Sequence, residues 1–189
     1  LIQRLVTSAP SAAYVGRVSI LDTYDTPTLA DLLAHYAGRT DVMIIPHSSH
    51  GCTWLSYDPA LMPLVEMYSC WGNSEFRLHG TAGVRAALSK GWRFGFIGGA
   101  DSHHGSPGHT GQPSKYAILS EREGFAAVWA PTLERGSLFD AMMQRRCYAT
   151  SGERIYLEFS VADLPMGSAG HARAGASLAI RATVGGTQP

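Results

Sequence analysis

The sequence lacks the hallmarks of three classes of protein. Its three cysteines (Cys52, Cys70 and Cys147) are too few and too scattered for a disulfide framework or a paired-cysteine zinc site. Its 15 basic side chains balance its 15 acidic ones, which argues against binding to nucleic acid or anionic membranes. It has no apolar run of about 18 residues, the length that a membrane-spanning helix needs. We therefore expect a protein with reduced thiols in the cytoplasm, with no nucleic-acid partner and no membrane partner.

The residues that are present indicate a folded chain with many sharp connections. Hydrophobic residues make up 45% of the sequence and charged residues only 16%, a balance opposite to that of disordered proteins. The 21 glycines and 10 prolines favour an α/β or β architecture over a helical bundle, because these residues are typical of tight turns.

Up to about residue 150, short apolar runs alternate with amphipathic stretches. This alternation predicts an α/β fold whose parallel sheet is covered on both faces. The predicted strands are 42–45, 64–68, 94–97 and 125–129, and the predicted helices are 26–37, 81–90 and 133–145.

After residue 150 the pattern changes to strict alternation. Ile155, Leu157, Phe159 and Val161 alternate with more polar residues, as in a strand with one buried face. We predict that 154–161 pairs antiparallel with 177–184 and buries these four side chains. The predicted division is residues 1–150 for the α/β part and 151–189 for the β segment, which could begin a second domain.

Polar side chains with metal-binding chemistry follow the predicted strands. His47 follows one strand directly, Asp101 and His103 follow another, and Glu66 lies within the strand between them. The carboxyl ends of parallel strands meet at one rim, where functional groups of α/β folds gather. Imidazole and carboxylate groups are ligands for Zn, Mn or Fe. We therefore expect His47, Asp101 and His103 to converge on a divalent metal ion.

Each candidate has a structural alternative. A single histidine after a strand is more often a loop residue bonded to backbone than a ligand. His50 is a weaker ligand candidate that could only line the pocket, because Ser48 and Ser49 separate it from His47. Glu66 could instead be a buried carboxylate paired with Arg77 or with a backbone amide.

Four stretches between residues 20 and 167 carry a combined signature: Ile45-Pro46-His47, Val65-Glu66 with Trp71-Gly72-Asn73-Ser74-Glu75, Gly99-Ala100-Asp101-Ser102-His103, and Arg145-Arg146-Cys147-Tyr148-Ala149-Thr150. Together they resemble the PHP superfamily of metal-dependent hydrolases. More narrowly they resemble its DUF3604 branch, which is related to the carbamate-hydrolysing CehA/McbA-type enzymes. Two features depart from the family: Ser48 stands where a second histidine is common, and the family's opening HxH pair is absent.

The resemblance implies a fold and a set of roles. The fold would be the C-terminal part of a distorted (β/α)7 barrel, followed by the short antiparallel β segment. His47, Asp101 and His103 match metal-ligand positions, and Glu66 matches an acidic residue that either binds metal or supports the site. For catalysis we assign Glu66 together with His104, which adjoins a predicted ligand and can titrate near neutral pH as a proton donor.

The implied reaction is hydrolysis by metal-activated water of a small-molecule carbamate, carboxyl ester or amide. A phosphoesterase is the first alternative, but only Arg77 and Lys115 offer cations for a phosphate. A catalytically inactive metal-binding or structural fragment is the second. Because a half-barrel leaves an edge strand unpaired and an apolar face uncovered, we expect the chain to pair with a missing N-terminal half, with a second copy or with a partner chain.

Overall fold

The computed structural model describes residues 28–47, 54–75, 83–101 and 124–186. Within these ranges the chain forms three helices and eight strands. In chain order they are α1 (Leu29–His35), β1 (Leu64–Ser69), β2 (Gly72–Asn73), α2 (Val84–Ser89), β3 (Gly95–Gly98), β4 (Phe125–Val128), α3 (Arg135–Met143), β5 (Cys147–Thr150), β6 (Ile155–Val161), β7 (Leu164–Pro165) and β8 (Ile180–Gly186).

Strand β1 is the centre of the first sheet. It pairs in parallel with β3, with Leu64 opposite Gly95, and antiparallel with the short β2. The predicted strand 42–45 is not a ladder strand, but its segment lies beside β1. The Ile44 N–H donates to the Leu61 carbonyl at 2.8 Å, and the Glu66 N–H donates to the Pro46 carbonyl at 3.1 Å. Pro46 has no N–H of its own, which limits a regular ladder at this point.

The first sheet is buried on both faces. Leu64 packs with Met142 of α3, whereas the next residue, Val65, packs with Val84 and Ala87 of α2. Consecutive side chains of a strand point to opposite faces, so one apolar run can serve two cores. Both Leu64 and Val65 have no solvent exposure. Continuous apolar character in β1 therefore reflects helices on both sides, as predicted.

Helix α1 begins at Leu29, three residues after the predicted start at residue 26. Thr28 forms a capping box with Asp31: the Thr28 hydroxyl accepts from the Asp31 N–H, and the Asp31 carboxylate accepts from the Thr28 N–H. Thr26, the predicted start of the helix, lies outside the described residues. Leu33 packs against Ile44, Leu61 and Met62, and these four buried side chains form an apolar cluster between the helix and the segment beside β1.

The predicted (β/α)7 barrel is wrong. In the described part of the chain the strands form three separate small sheets, ordered β2-β1-β3, β4-β5 and β7-β6-β8, and they do not close into a barrel. Among the strands of the described residues, only β1 and β3 form a parallel ladder, whereas β4 pairs antiparallel with β5, from Phe125 opposite Thr150 to Val128 opposite Cys147. A short apolar run has the same appearance in a buried parallel and a buried antiparallel strand. The apolar runs of the sequence therefore could not distinguish the two kinds of pairing.

The C-terminal sheet pairs as predicted but is not buried as predicted. β6 pairs antiparallel with β8 from Ile155 opposite Gly186 to Val161 opposite Ile180, two to three residues beyond the predicted range of the second strand. The apolar side chains nevertheless remain accessible: Phe159 is 39% exposed and Ile180 is 68% exposed. The alternation correctly predicted one apolar face, and its predicted burial is the part that is wrong.

Two aromatic side chains attach the C-terminal sheet to the rest of the chain. The Tyr148 hydroxyl donates to the Ile155 carbonyl at 2.6 Å and accepts from the Leu157 N–H at 3.0 Å. The Trp129 indole N–H donates to the Leu157 carbonyl at 3.2 Å, and its ring meets Tyr156 edge to face. These bonds satisfy backbone groups of β6, and they attach the C-terminal sheet to Tyr148 of β5 and to Trp129. None of the helices in the described ranges is long and apolar enough to cross a membrane.

Candidate metal centre

Glu66 and His47 meet beside strand β1. Glu66 belongs to the strand and is 7% exposed, while His47 follows the apolar segment 42–46 and forms an isolated parallel bridge with Glu66. The Glu66 carboxylate contacts the Nδ1 atom of His47. A carboxylate on one ring nitrogen fixes the tautomer of an imidazole and directs its other nitrogen outward.

Asp101 is placed by the loop that follows β3. The Gly99 N–H donates to the Tyr68 carbonyl at 2.9 Å, and the Cys70 N–H donates to the Ala100 carbonyl at 3.1 Å. The Cys70 thiol donates to the Asp101 carbonyl at 3.0 Å. Three consecutive residues after β3 are therefore tied to the end of β1, which brings the Asp101 side chain to the same rim as His47.

The loop is held in a conformation that most residues avoid. Asp101 has a φ of 47°, in the left-handed region that is uncommon for residues other than glycine. At Gly99, a Cβ atom would collide with the Glu66 carboxylate. Such a conformation persists only where the surrounding contacts enforce it, and it is often found at functional sites.

His47 lies between the two carboxylates. Its Nε2 atom is 3.2 Å from an Asp101 carboxylate oxygen, on the side of the ring opposite Glu66. The side chains of His47, Glu66 and Asp101 are 19%, 9% and 22% exposed. The cluster is thus largely shielded, and the side chains of His47 and Asp101 are more exposed than that of Glu66.

The structure brings together three of the predicted site residues. His47 and Asp101 are neighbours although 54 positions separate them in the chain, and Glu66 joins them. His50, His103 and His104 lie outside the described residues, as does Arg77, the alternative partner of Glu66. In the ranges that are described, no group of three or more histidine, cysteine, aspartate and glutamate side chains has the arrangement of a metal site. Metal binding stays a prediction.

Sequence reasoning missed two supporting residues. Gly99 leaves the space that the Glu66 carboxylate occupies, and Cys70 binds the backbone of Asp101. The paired glycines after an apolar run were a signal for a tight approach of the backbone. No feature of the sequence around Cys70 pointed to a role, since its bond to the loop exists only when β1 and β3 are adjacent.

Comparison with known proteins connects the chain to one family. Residues 110–169 match DUF3604, a family described as "Protein of unknown function". This segment covers β4, α3, β5, β6 and β7, and it begins nine residues after Asp101. The predicted resemblance to DUF3604 is therefore confirmed over this segment, whereas a link to the PHP superfamily stays a prediction.

Longer relatives occur in Chlamydia. The chain is 31% identical over 135 residues to an "Uncharacterized protein" of Chlamydia muridarum, a match that covers 62% of this chain and 21% of the relative. Similar matches, also at 31% identity, occur in Chlamydia pneumoniae over 147 residues (68% and 23%) and in Chlamydia trachomatis over 133 residues (62% and 21%). The chain thus spans about a fifth of the length of these relatives. No solved structure matches it significantly.

Proposed function

We propose that this chain is part of a metal-dependent hydrolase related to the PHP superfamily. In this proposal His47 and Asp101 bind a divalent metal ion, and Glu66 positions His47. The substrate is a small-molecule carbamate, carboxyl ester or amide. The observation that carries the proposal is the arrangement of one histidine between two carboxylates at the ends of two adjacent strands.

The spacing of the two donors fits a shared metal ion. Two atoms that each bond zinc at about 2.0–2.1 Å in tetrahedral geometry lie roughly 3.3 Å from one another. His47 Nε2 and the Asp101 oxygen are 3.2 Å apart. One imidazole nitrogen with carboxylate oxygen suits Zn, Mn or Fe better than the softer metals that require thiolates. His103 and His50 stay predicted as further ligands.

The geometry separates the role of Glu66 from that of Asp101. Glu66 contacts Nδ1, the nitrogen that faces away from Asp101, so its carboxylate accepts the Nδ1 proton and leaves the Nε2 lone pair for a ligand. Gly99 packs against the other Glu66 oxygen and limits its movement. This arrangement favours a positioning role for Glu66 over direct binding of the metal ion.

A bound divalent ion would lower the pKa of a coordinated water towards neutrality and polarise the scissile carbonyl. His47 and Asp101 would hold the ion at the rim, while Glu66 would keep the imidazole in one tautomer. His104 remains the predicted proton donor to the leaving group. An ester or amide is favoured over a phosphate because the described cluster contributes two carboxylates and no arginine or lysine.

Metal binding tests the proposal without relying on turnover. Zn²⁺ or Mn²⁺ is titrated calorimetrically into the purified chain and into His47→Gln, Asp101→Asn and Glu66→Gln. Loss of either ligand should weaken binding by more than about 100-fold, and Glu66→Gln should weaken it by about 10- to 100-fold. His35→Gln on α1 and Asp140→Asn on α3 are matched controls, since both side chains are exposed and lie outside the cluster.

The binding data also decide between function classes. If the His47 and Asp101 variants bind metal as the unchanged chain does, the cluster is an ion-pair network and the proposal is wrong. A chain that binds metal is then assayed with naphthyl carbamate, p-nitrophenyl phosphate and bis-p-nitrophenyl phosphate. Cleavage of the phosphate esters alone would favour the phosphoesterase alternative, and binding without any cleavage would favour the inactive metal-binding fragment.

A further inference from the structure

A second concave site lies between the C-terminal sheet and the start of β3. It is a groove of about 630 Å³, within the range of about 300–1,000 Å³ that is typical of small-molecule sites. Trp92, Phe94 and Phe96 line one wall, and apolar side chains of the C-terminal sheet, including Leu157 and Phe159, line the other. Because β3 runs from this groove towards Asp101, the groove and the His47 cluster lie at opposite ends of the strand.

The groove is positively charged. Arg93 and Arg145 line it, together with His171, and no aspartate or glutamate is among its lining residues in the described part of the chain. The described ion pairs that involve arginine use Arg39, Arg85 and Arg181 instead. The two groove arginines therefore face an apolar surface without a carboxylate partner among the described residues.

Both arginines share the lining of the groove with the aromatic side chains of Trp92 and Phe94. Tyr57 stacks on Trp92 with ring centroids 4.9 Å apart. Burial raises the pKa of the Tyr57 phenol and the charge of Asp58 adds to that rise, while the hydrogen bond with the Arg93 backbone and the positive charges of Arg145 and Arg93 oppose it. The Arg93 N–H donates to the Tyr57 hydroxyl at 3.2 Å, so the backbone of Arg93 is fixed beside this aromatic pair.

The position of Arg145 is enforced by the backbone. Arg145 has a φ of 60°, which is uncommon for a residue other than glycine. A Cβ atom on Gly95 would lie 2.9 Å from the Arg145 Cβ, so glycine at this position is what allows Arg145 to lie against β3. Because Arg145 has an uncommon backbone conformation and needs glycine at position 95, its position against β3 is imposed by the surrounding structure.

We propose that this groove binds a small organic anion that carries an aromatic body. The aromatic side chains would stack on the body, and Arg93 and Arg145 would pair with its anionic group, for which planar guanidinium groups are well suited. A second copy of the chain or another protein segment would need an acidic side chain at its centre to complement the two arginines. The charge therefore favours the small anion. This site does not depend on metal binding by His47.

Two fluorescent probes of similar shape test the proposal on the full chain. 8-Anilino-1-naphthalenesulfonate carries the anionic group, and N-phenyl-1-naphthylamine has the same rings without it. We expect one sulfonate probe to bind per chain, with an affinity that falls as salt is added and with weaker binding of the neutral probe. Arg93→Gln and Arg145→Gln should each weaken binding of the sulfonate about tenfold and leave the neutral probe unchanged.

Matched variants separate charge from folding. Arg145→Lys keeps the charge and should retain most of the binding, and Arg135→Gln removes an exposed arginine of α3 that does not line the groove and should change nothing. Phe159→Ser should weaken both probes, because it alters the apolar wall at a side chain that is already 39% exposed. Circular dichroism spectra verify that each variant is folded.

Three outcomes would overturn the proposal. The first is equal binding of both probes by the unchanged chain and by the arginine variants, which would make the groove an uncharged apolar surface. The second is binding of many probes per chain. The third is a dimer, detected by analytical ultracentrifugation, that excludes the sulfonate probe, since the occupant would then be a second copy.

Discussion

Strand β1 and the C-terminal sheet are both rich in apolar side chains but lie in opposite environments. Leu64 and Val65 of β1 have no exposure, whereas Val184 and Ile180 of β8 are 66% and 68% exposed. The difference is that helices α2 and α3 cover the two faces of β1, while the apolar face of the C-terminal sheet borders the groove. The comparison teaches that an apolar pattern predicts the direction of side chains, and that burial depends on what packs against them.

The largest expected effect is a contrast between these two regions. Leu64→Ala should lower the free energy of unfolding by about 2–5 kcal/mol, because it leaves a cavity between β1 and α3. Val184→Ala should change it by no more than about 0.5 kcal/mol, since most of that side chain is already in water. Urea denaturation of both variants measures the contrast. Equal losses would mean that the apolar face of the C-terminal sheet is covered in solution.

The second prediction concerns the contact beneath the His47 cluster. Gly99→Ala places a methyl group on the Glu66 carboxylate and should destabilise the chain by about 1–3 kcal/mol. It should also weaken metal binding, because Glu66 must move away from His47. The control is Gly136→Ala in α3, where a Cβ meets nothing within 4 Å. This control should leave the chain unchanged or stabilise it by up to about 1 kcal/mol.

A smaller effect is expected at the start of α1. Thr28→Ala removes the hydroxyl that accepts from the Asp31 N–H and should lower the free energy of unfolding by about 1 kcal/mol. Thr28→Ser retains the hydroxyl and serves as the control. Thermal denaturation of both variants measures the difference. A Thr28→Ala variant as stable as the Thr28→Ser variant would show that the capping box does not contribute to the stability of the chain.

The smallest effect is a pH dependence that comes from Cys147. Burial raises the pKa of this thiol from 9.0 to about 12, so the folded chain binds its proton more tightly than the unfolded chain does. Its contribution to stability is therefore complete below pH 9.0 and is lost progressively up to about pH 12. Between about pH 8 and about pH 9.5 the loss should be about 0.8 kcal/mol.

Cys147→Ala isolates this contribution from that of tyrosines, which titrate in the same range. The difference in the free energy of unfolding between the unchanged chain and the variant should change by about 0.8 kcal/mol between about pH 8 and about pH 9.5. Cys147 should also resist alkylation by iodoacetamide at about pH 8, as measured by peptide mass spectrometry, because almost no thiolate is present. Rapid alkylation of Cys147 in the folded chain would contradict its burial beneath α3.

Local features were predictable from the sequence because they depend on neighbours in the chain. The apolar run at 64–68 became β1, the amphipathic stretches around Leu33 and Met142 became α1 and α3, and alternation after residue 154 became the β6–β8 pair. The proximity of His47 and Asp101 was also expected, since each follows an apolar segment. The barrel came from the family resemblance, and the apolar runs could not test it, because strand direction leaves no mark on a short apolar run.

The sequence by itself thus determined which segments form strands and helices, and which faces of them are apolar, through backbone propensity and side-chain period. Only the tertiary structure decided that β4 and β5 run antiparallel, that Glu66 contacts the Nδ1 rather than the Nε2 atom of His47, and that Arg93 and Arg145 share one groove. These features join residues that are distant in the chain. They follow from packing and hydrogen bonding between elements, and no local pattern encodes such contacts.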